Sequence, residues 1–341
     1  MATVEIRESK ARPLIITPVI IAAALFLYKS SSAFTVLRST WSAGTIAGKP
    51  GVVALGQQGL ALSPLERSIN YFAVIWPALV FGILIAAAVR AFVSPRWFIR
   101  LLGRGPIKTQ LMAGLAGAPL MLCSCCVAPI FTTMVETSVS LGPALGLMLA
   151  SPSLNPAALT LTFMLFGPGI AGMRLLLALA AVIFVGPLVE RMIGIASTGY
   201  LGKIDETEVE AQPVLKFTRS IATVSIRTVP ALVLGVLISM LIVQGLPAQV
   251  FASSGAKLLT ILIVATAAVP LALPTFLEIP LSVSLLAAGI PAGAAVALLF
   301  AGPAINLPSL FSIARVSGWR AAAAVAILIW SMAVAGGLLA G

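Results

Sequence analysis

The sequence contains no histidine, and its only three cysteines fall within one run, Cys123-Ser124-Cys125-Cys126. Without histidine there is no imidazole proton shuttle, no His-based zinc or copper site and no His-dependent catalytic triad. Charge is also scarce. Charged residues make up 9% of the chain against 60% apolar, and the mean hydropathy is +1.11. A soluble domain of this length needs a charged surface that these residues cannot supply. Nucleotide-binding motifs are absent too, so any energy input must come from a gradient or a partner protein.

Long neutral stretches remain, several of them able to cross a hydrocarbon core of roughly 30 Å at about 20 residues each. The net charge of +11 does not point to nucleic acid, because Lys and Arg in loops facing cytoplasm and anionic lipid give the same excess. Arg90, Arg96, Arg100, Arg104 and Lys108 form one such group. Leu14 to Tyr28, which follows Arg7, Lys10 and Arg12, reads as a retained first helix with the N-terminus in the cytoplasm. Glu5 and Glu8 are unusual for a secretory signal.

An internal repeat is visible. Pro119, Pro129, Gly142, Pro152 and Asn155 recur 151 residues later as Pro270, Pro280, Gly293, Pro303 and Asn306. Upstream, Pro77 and Gly82 match Pro230 and Gly235; downstream, Gly172-Met173-Arg174 resembles Gly318-Trp319-Arg320. The basic loop at 90–108 has its counterpart at 244–257, where Lys257 is the only charge. By the positive-inside rule equivalent helices then run in opposite directions, as in inverted-repeat transporters whose solute site lies near the midplane. The expected organisation is an N-terminal helix and extracytoplasmic loop over 1–68, a first repeat over 69–192, a cytoplasmic linker over 193–218 carrying Asp205, Glu206, Glu208 and Glu210, and a second, inverted repeat over 219–341. The fold class is an all-α polytopic membrane protein, with a re-entrant hairpin and a broken transmembrane helix in each repeat.

Four helix breaks are expected. The hairpin tips fall at Cys123–Cys126 and Leu273–Pro280, and the broken helices part at Ser151–Pro156 and Gly302–Pro308. Non-helical backbone at membrane depth is tolerated only where protein or a water-filled cavity satisfies it, so four converging breaks describe a binding site. Cys125 and Cys126 precede a half-helix starting near Val127, whose positive end favours thiolate, the ligand of choice for soft species such as As(III), Hg(II) or Cu(I). Asn155 and Asn306 are N-caps for the helices after the breaks, with Ser151 and Ser153 beside the first. Glu278, in the second tip, is the candidate for proton coupling, since carboxylates at membrane depth usually face a cavity. Glu136 is expected near an interface, and Arg174 and Arg320 as boundary anchors that snorkel.

The Cys-Ser-Cys run followed by Pro129, the glycine-rich stretch after it and the tail Phe300-Ala-Gly-Pro-Ala-Ile-Asn306 resemble the organoarsenical-efflux permease family. The resemblance covers roughly residues 70–340. It implies an inner-membrane permease that, in some members, exports trivalent organoarsenicals through cysteine contacts, and it nominates Cys123, Cys125, Cys126 and Asn306. Two departures stand out: Cys126 occupies a place where the family more often has glycine, and the second tip, Leu273 to Glu278, has no cysteine.

Three readings stay open on the sequence. One is a secondary permease for a small thiophilic solute. Another is a thiol–disulfide oxidoreductase using the Cys123-x-x-Cys126 spacing, although the second repeat supplies no partner thiols. The third is a channel or permease for another small solute, sulfur-containing, neutral or anionic. No cofactor, resident metal or enzymatic activity is expected. The partners are the solute and the lipid bilayer of a bacterial inner membrane, and homo-oligomers are allowed.

Overall fold

The computed structural model describes residues 2–43, 63–92, 106–136, 140–194, 213–245, 257–273, 276–287 and 289–341. These form helices α1 (Ala2–Ala43), α2 (Pro64–Phe92), α3 (Pro106–Gly117), α4 (Ser124–Glu136), α5 (Leu141–Ser153), α6 (Pro156–Ala180), α7 (Gly186–Ile193), α8 (Pro213–Gly245), α9 (Lys257–Ala268), α10 (Glu278–Ala287), α11 (Ala292–Ala304), α12 (Leu307–Ser317) and α13 (Trp319–Ala340). Among the described residues there is no strand. Among the described residues, five stretches are by length and composition able to cross a membrane: Ile16–Trp41, Ile75–Phe92, Pro156–Ile193, Pro213–Leu241 and Trp319–Ala340. A sixth arises if α11 and α12, bent by 48° at their junction, count as one broken span.

Helix α1 runs well past Tyr28, where the first helix was expected to end. The serines beyond it do not break the helix, because Ser31 and Ser32 donate to the Tyr28 carbonyl at 2.8 and 3.2 Å, a bond that satisfies the hydroxyl within the helix. Val19, Ile20, Leu27, Phe34 and Trp41 are exposed along it, an outer face suited to lipid. At the start of α2 the Ser63 backbone N–H and hydroxyl both donate to Glu66 Oε2, at 2.8 and 2.9 Å. These bonds hold the Glu66 carboxyl below its ordinary value and cap the helix. Helix α8 begins at Pro213, so residues 213–218 are helical rather than linker. Proline is pre-set for a first helical position. Residues 195–212 of the expected linker, most of the basic loop at 90–108 and most of 244–257 lie outside the described residues.

The helix bounds follow the 151-residue spacing. Helices α3 and α9 are each 12 residues long, and α5 and α11 are each 13. Glu136, which ends α4, is matched by Ala287 at the end of α10, and Pro156, which opens α6, by Leu307 at the start of α12. The downstream correspondence differs from the one expected. The partner of Gly318 is Gly167, not Gly172: their φ/ψ angles are 87°/160° and 72°/177°, a region essentially confined to glycine. At Gly167 the chain folds back. A straight helix would put Thr162 and Arg174 about 18 Å apart, farther than the two side chains reach, yet they are hydrogen-bonded at 2.6 Å.

Helices α2 and α8 pack together, as do α5 and α11, while α4 packs on α12 and α6 on α10. Each of these pairs joins the first half of the chain to the second. Helix α3 packs on α5, and α4 on both α2 and α5. The breaks are thereby enclosed in one apolar core that contains Leu122, the three cysteines, Leu271, Leu273, Ala304 and Ile305.

Candidate functional site

After α3 a short 3-10 turn over Ala118–Leu120 leads to Met121, at φ 50°, whose N–H returns to the Ala118 carbonyl. The Cys123 carbonyl then accepts from the N–H groups of Cys126 and Val127 at 3.0 and 3.1 Å. Cys125 and Cys126 therefore lie inside the first turn of α4, not ahead of a helix starting near Val127. This turn gathers the three thiols on one spot. Cys123 Sγ lies 2.8 Å from Cys126 Sγ and 3.1 Å from Cys125 Sγ, with 3.9 Å closing the triangle. All three are unbridged and buried. An ion held at a thiolate distance of ~2.3 Å needs sulfur–sulfur edges of roughly 3.3–4 Å, so a small expansion of this triangle would seat one soft atom.

Two neighbours shape the cluster. Tyr71, fully buried on α2, places its hydroxyl 3.0 Å from Cys125 Sγ. Gly82, about three turns further along α2, sits directly against the Cys126 carbonyl, where a Cβ would collide. The matching glycine on α8, Gly235, lies against Pro308, with a built Cβ 2.6 Å from the Pro308 Cα. The first turns of α4 and α12 are thus both seated on the α2–α8 pair.

The second break of each half adjoins the first. Ser151 Oγ accepts from the Leu122 N–H at 3.1 Å, tying the end of α5 to the residue before Cys123. In the other half, a Cβ on Gly302 would lie 3.1 Å from Leu273 and 3.9 Å from the Glu278 Cβ. Asn155 caps α6 as expected, its Oδ1 accepting from the N–H groups of Ala157 and Ala158 at 3.0 and 3.4 Å. Asn306 caps α12 within a reciprocal capping box with Ser309. Both asparagines are completely buried, and neither Nδ2 has a partner; Ser153 Oγ is likewise buried and unpaired. A buried polar group left without a partner costs about 1–3 kcal/mol.

Glu278, in the first turn of α10, is buried and accepts from Arg174 NH2 at 3.0 Å. Arg174 was expected as a snorkelling anchor. The fold-back at Gly167 instead draws it inward, where it is 1% exposed and also donates from NH1 to Thr162 Oγ1. Arg320 is exposed, in keeping with a boundary place. Glu136, at the end of α4, is partly buried and accepts from Arg90 and Arg227 at 2.8 and 3.1 Å. The structure thus brings Cys123, Cys125, Cys126 and Ser151 together and places Glu278 beside α11. Sequence reasoning missed Tyr71 and Arg174. For Tyr71 the available signal was a polar aromatic among apolar residues of α2; for Arg174 it was a cation inside the longest apolar stretch.

Residues 65–341 match the ArsP_1 family, described as predicted permeases. The chain is 29% identical over 279 residues to the UPF0718 protein YraQ of Escherichia coli (strain K12), covering 80% of each chain. It is 30% identical over 99 residues to the UPF0718 protein MJ0584 of Methanocaldococcus jannaschii, spanning 29% of this chain and 27% of that one. A third relative, the UPF0718 protein YcgR of Bacillus subtilis (strain 168), is 28% identical over 91 residues, spanning 27% of this chain and 31% of its own. No solved structure matches the chain significantly. With its apolar helices and this match across most of its length, the chain is a multi-pass membrane protein that belongs to the ArsP_1 family of predicted permeases.

Proposed function

We propose that this chain is a secondary permease that moves a small thiophilic solute, a trivalent organoarsenical or a species like it, across the bacterial inner membrane. The observation that carries the reading is the buried trio of cysteine sulfurs, all within 4.8 Å of one another, at a break between two short helices. Three thiolates form a soft donor set, and the imidazole sites that borderline metals favour have no residues to build them. The two halves are taken as inverted repeats around that site, each with a re-entrant segment and a broken helix, and with the N-terminus in the cytoplasm. The repeated helix lengths and the α2–α8 and α5–α11 pairings support this arrangement. The short helices at the breaks each span about 15–20 Å, half a membrane, which fits helices that meet at mid-depth. Glu278 is the proposed proton-coupling residue: a proton on its carboxylate would release Arg174 and loosen a contact between the halves.

A thiol–disulfide relay is the second reading, favoured by the 2.8 Å separation of Cys123 and Cys126. The chain has no second cysteine pair to carry the electrons on, so a relay would need a disulfide on another protein to accept them. The test is the growth of a transporter-deleted bacterium expressing this chain in methylarsenite, arsenite and mercuric ion. It is run beside a Cys125→Ser/Cys126→Ser variant of equal abundance. Protection lost in the variant supports thiol-dependent efflux, and heightened sensitivity lost in the variant supports uptake. Identical growth in every case rejects the thiophilic reading.

A further inference from the structure

Asn155 and Asn306 occupy matching places, 151 residues apart, as the caps of α6 and α12. Capping uses only the side-chain oxygen, in both cases Oδ1. Aspartate, serine or threonine would cap as well or nearly so, and aspartate would also complement the positive helix end. Asparagine differs from aspartate by bringing an amide that donates. Both amides are fully buried without any protein acceptor, and the Ser153 hydroxyl beside the first is unpaired too. The same choice at both breaks, each leaving a donor open, indicates a ligand that supplies acceptors.

Both donors also lie on segments tied to the elements that carry the thiols. Ser151, one turn before Asn155, is bonded to Leu122, the residue ahead of Cys123. Pro308, two residues past Asn306, and Cys126 lie against matching glycines of the packed helices α2 and α8. The one cation described in this core, Arg174, has its charge met by Glu278 although its Nε is also unpartnered, so the open donors at the helix N-termini are neutral amides. Such a set suits a neutral oxyacid or a monoanion.

We infer that the amides of Asn155 and Asn306 are solute-binding donors, and that the solute carries acceptor oxygens on a soft centre: a small oxyacid or oxyanion in place of a bare soft cation. One cysteine thiol replaces one hydroxyl on the soft atom, its proton leaving with that hydroxyl as water, and the asparagines hold the oxygen that remains. This inference rests on the thiophilic reading above and narrows it.

The test compares wild type with Asn155→Asp and Asn306→Asp in purified, lipid-reconstituted protein. Both substitutions keep the cap and replace the donor by an acceptor. Asn155→Ser and Asn306→Ser serve as a second pair that also caps and is too short to replace the amide. Binding is measured for methylarsonous acid and arsenous acid, both carrying hydroxyls on a soft acceptor atom, and for silver ion, which has no oxygen. The inference predicts that each substitution weakens at least one oxygen-bearing probe at least tenfold and leaves silver binding unchanged. Oxygen-bearing probes that bind the variants like wild type, yet are lost in Cys125→Ser/Cys126→Ser, would overturn the inference and leave the thiophilic reading standing. A wild type that binds neither kind of probe would overturn both.

Discussion

Arg174 and Glu278 lie 104 positions apart in the chain, yet their side chains meet at 3.0 Å with 1% and 3% exposure. Arg174 belongs to α6 of the first half and Glu278 to α10 of the second, so the pair joins the halves next to the second break. Its Nε has no partner, which leaves one edge of the guanidinium fork unused.

A buried ion pair is weak evidence for net stability, but breaking one partner exposes an uncompensated charge to a low-dielectric interior. Glu278→Gln and Arg174→Gln should each destabilise the purified protein by about 3–5 kcal/mol. The double substitution should cost less than the sum of the two. Unfolding in detergent measures this cycle, and additive losses would show that the two side chains do not interact.

The fold-back that delivers Arg174 depends on Gly167, as the start of α13 depends on Gly318. Neither site is crowded: a Cβ at Gly167 or Gly318 would meet nothing within 4 Å. The cost of Gly167→Ala or Gly318→Ala is therefore conformational, about 1–3 kcal/mol each. Gly169, equally open but helical and without a positive φ, is the control. Gly169→Ala should leave stability unchanged or raise it by up to ~1 kcal/mol. Equal effects at all three positions would contradict this backbone account.

Tyr71 contributes a single atom to the cysteine cluster, its hydroxyl beside Cys125. A hydrogen bond to a charged group is worth about 1.5–3 kcal/mol. Tyr71→Phe should thus weaken retention of a thiolate-bound soft ion by roughly tenfold or more while all three thiols stay in place. Competition against a dithiol chelator reads the change directly, and an unaltered competition curve would make Tyr71 a packing residue only.

Much of this architecture was legible in the sequence. The Pro, Gly and Asn skeleton located the breaks because Pro156 and Pro308 open helices and asparagines cap them, and both asparagines do cap, although Pro129, Pro152 and Pro303 lie inside helices. The run of cysteines marked one break through its composition alone. Contacts between distant segments were not legible. Arg174 looked like a boundary cation because the local pattern cannot show that the chain reverses at Gly167. The downstream match to Gly172 followed a shared Gly-x-Arg pattern, whereas the unbroken 151-residue spacing led to Gly167. Tyr71 was missed because its helix meets α4 through tertiary packing, which no spacing within α2 encodes. The end of α1 was misjudged for a different reason: the Ser30–Ser32 run resembles a loop, but its hydroxyls bond within the helix.

Flux through the purified protein tests the central claim most directly. Proteoliposomes holding wild type, or the Cys125→Ser/Cys126→Ser variant in equal amount, are given trivalent methylarsenite and sampled over time. Thiol-dependent transport predicts arsenic movement by wild type well above empty vesicles, and movement at the empty-vesicle rate by the variant. Equal flux through the two proteins would contradict it.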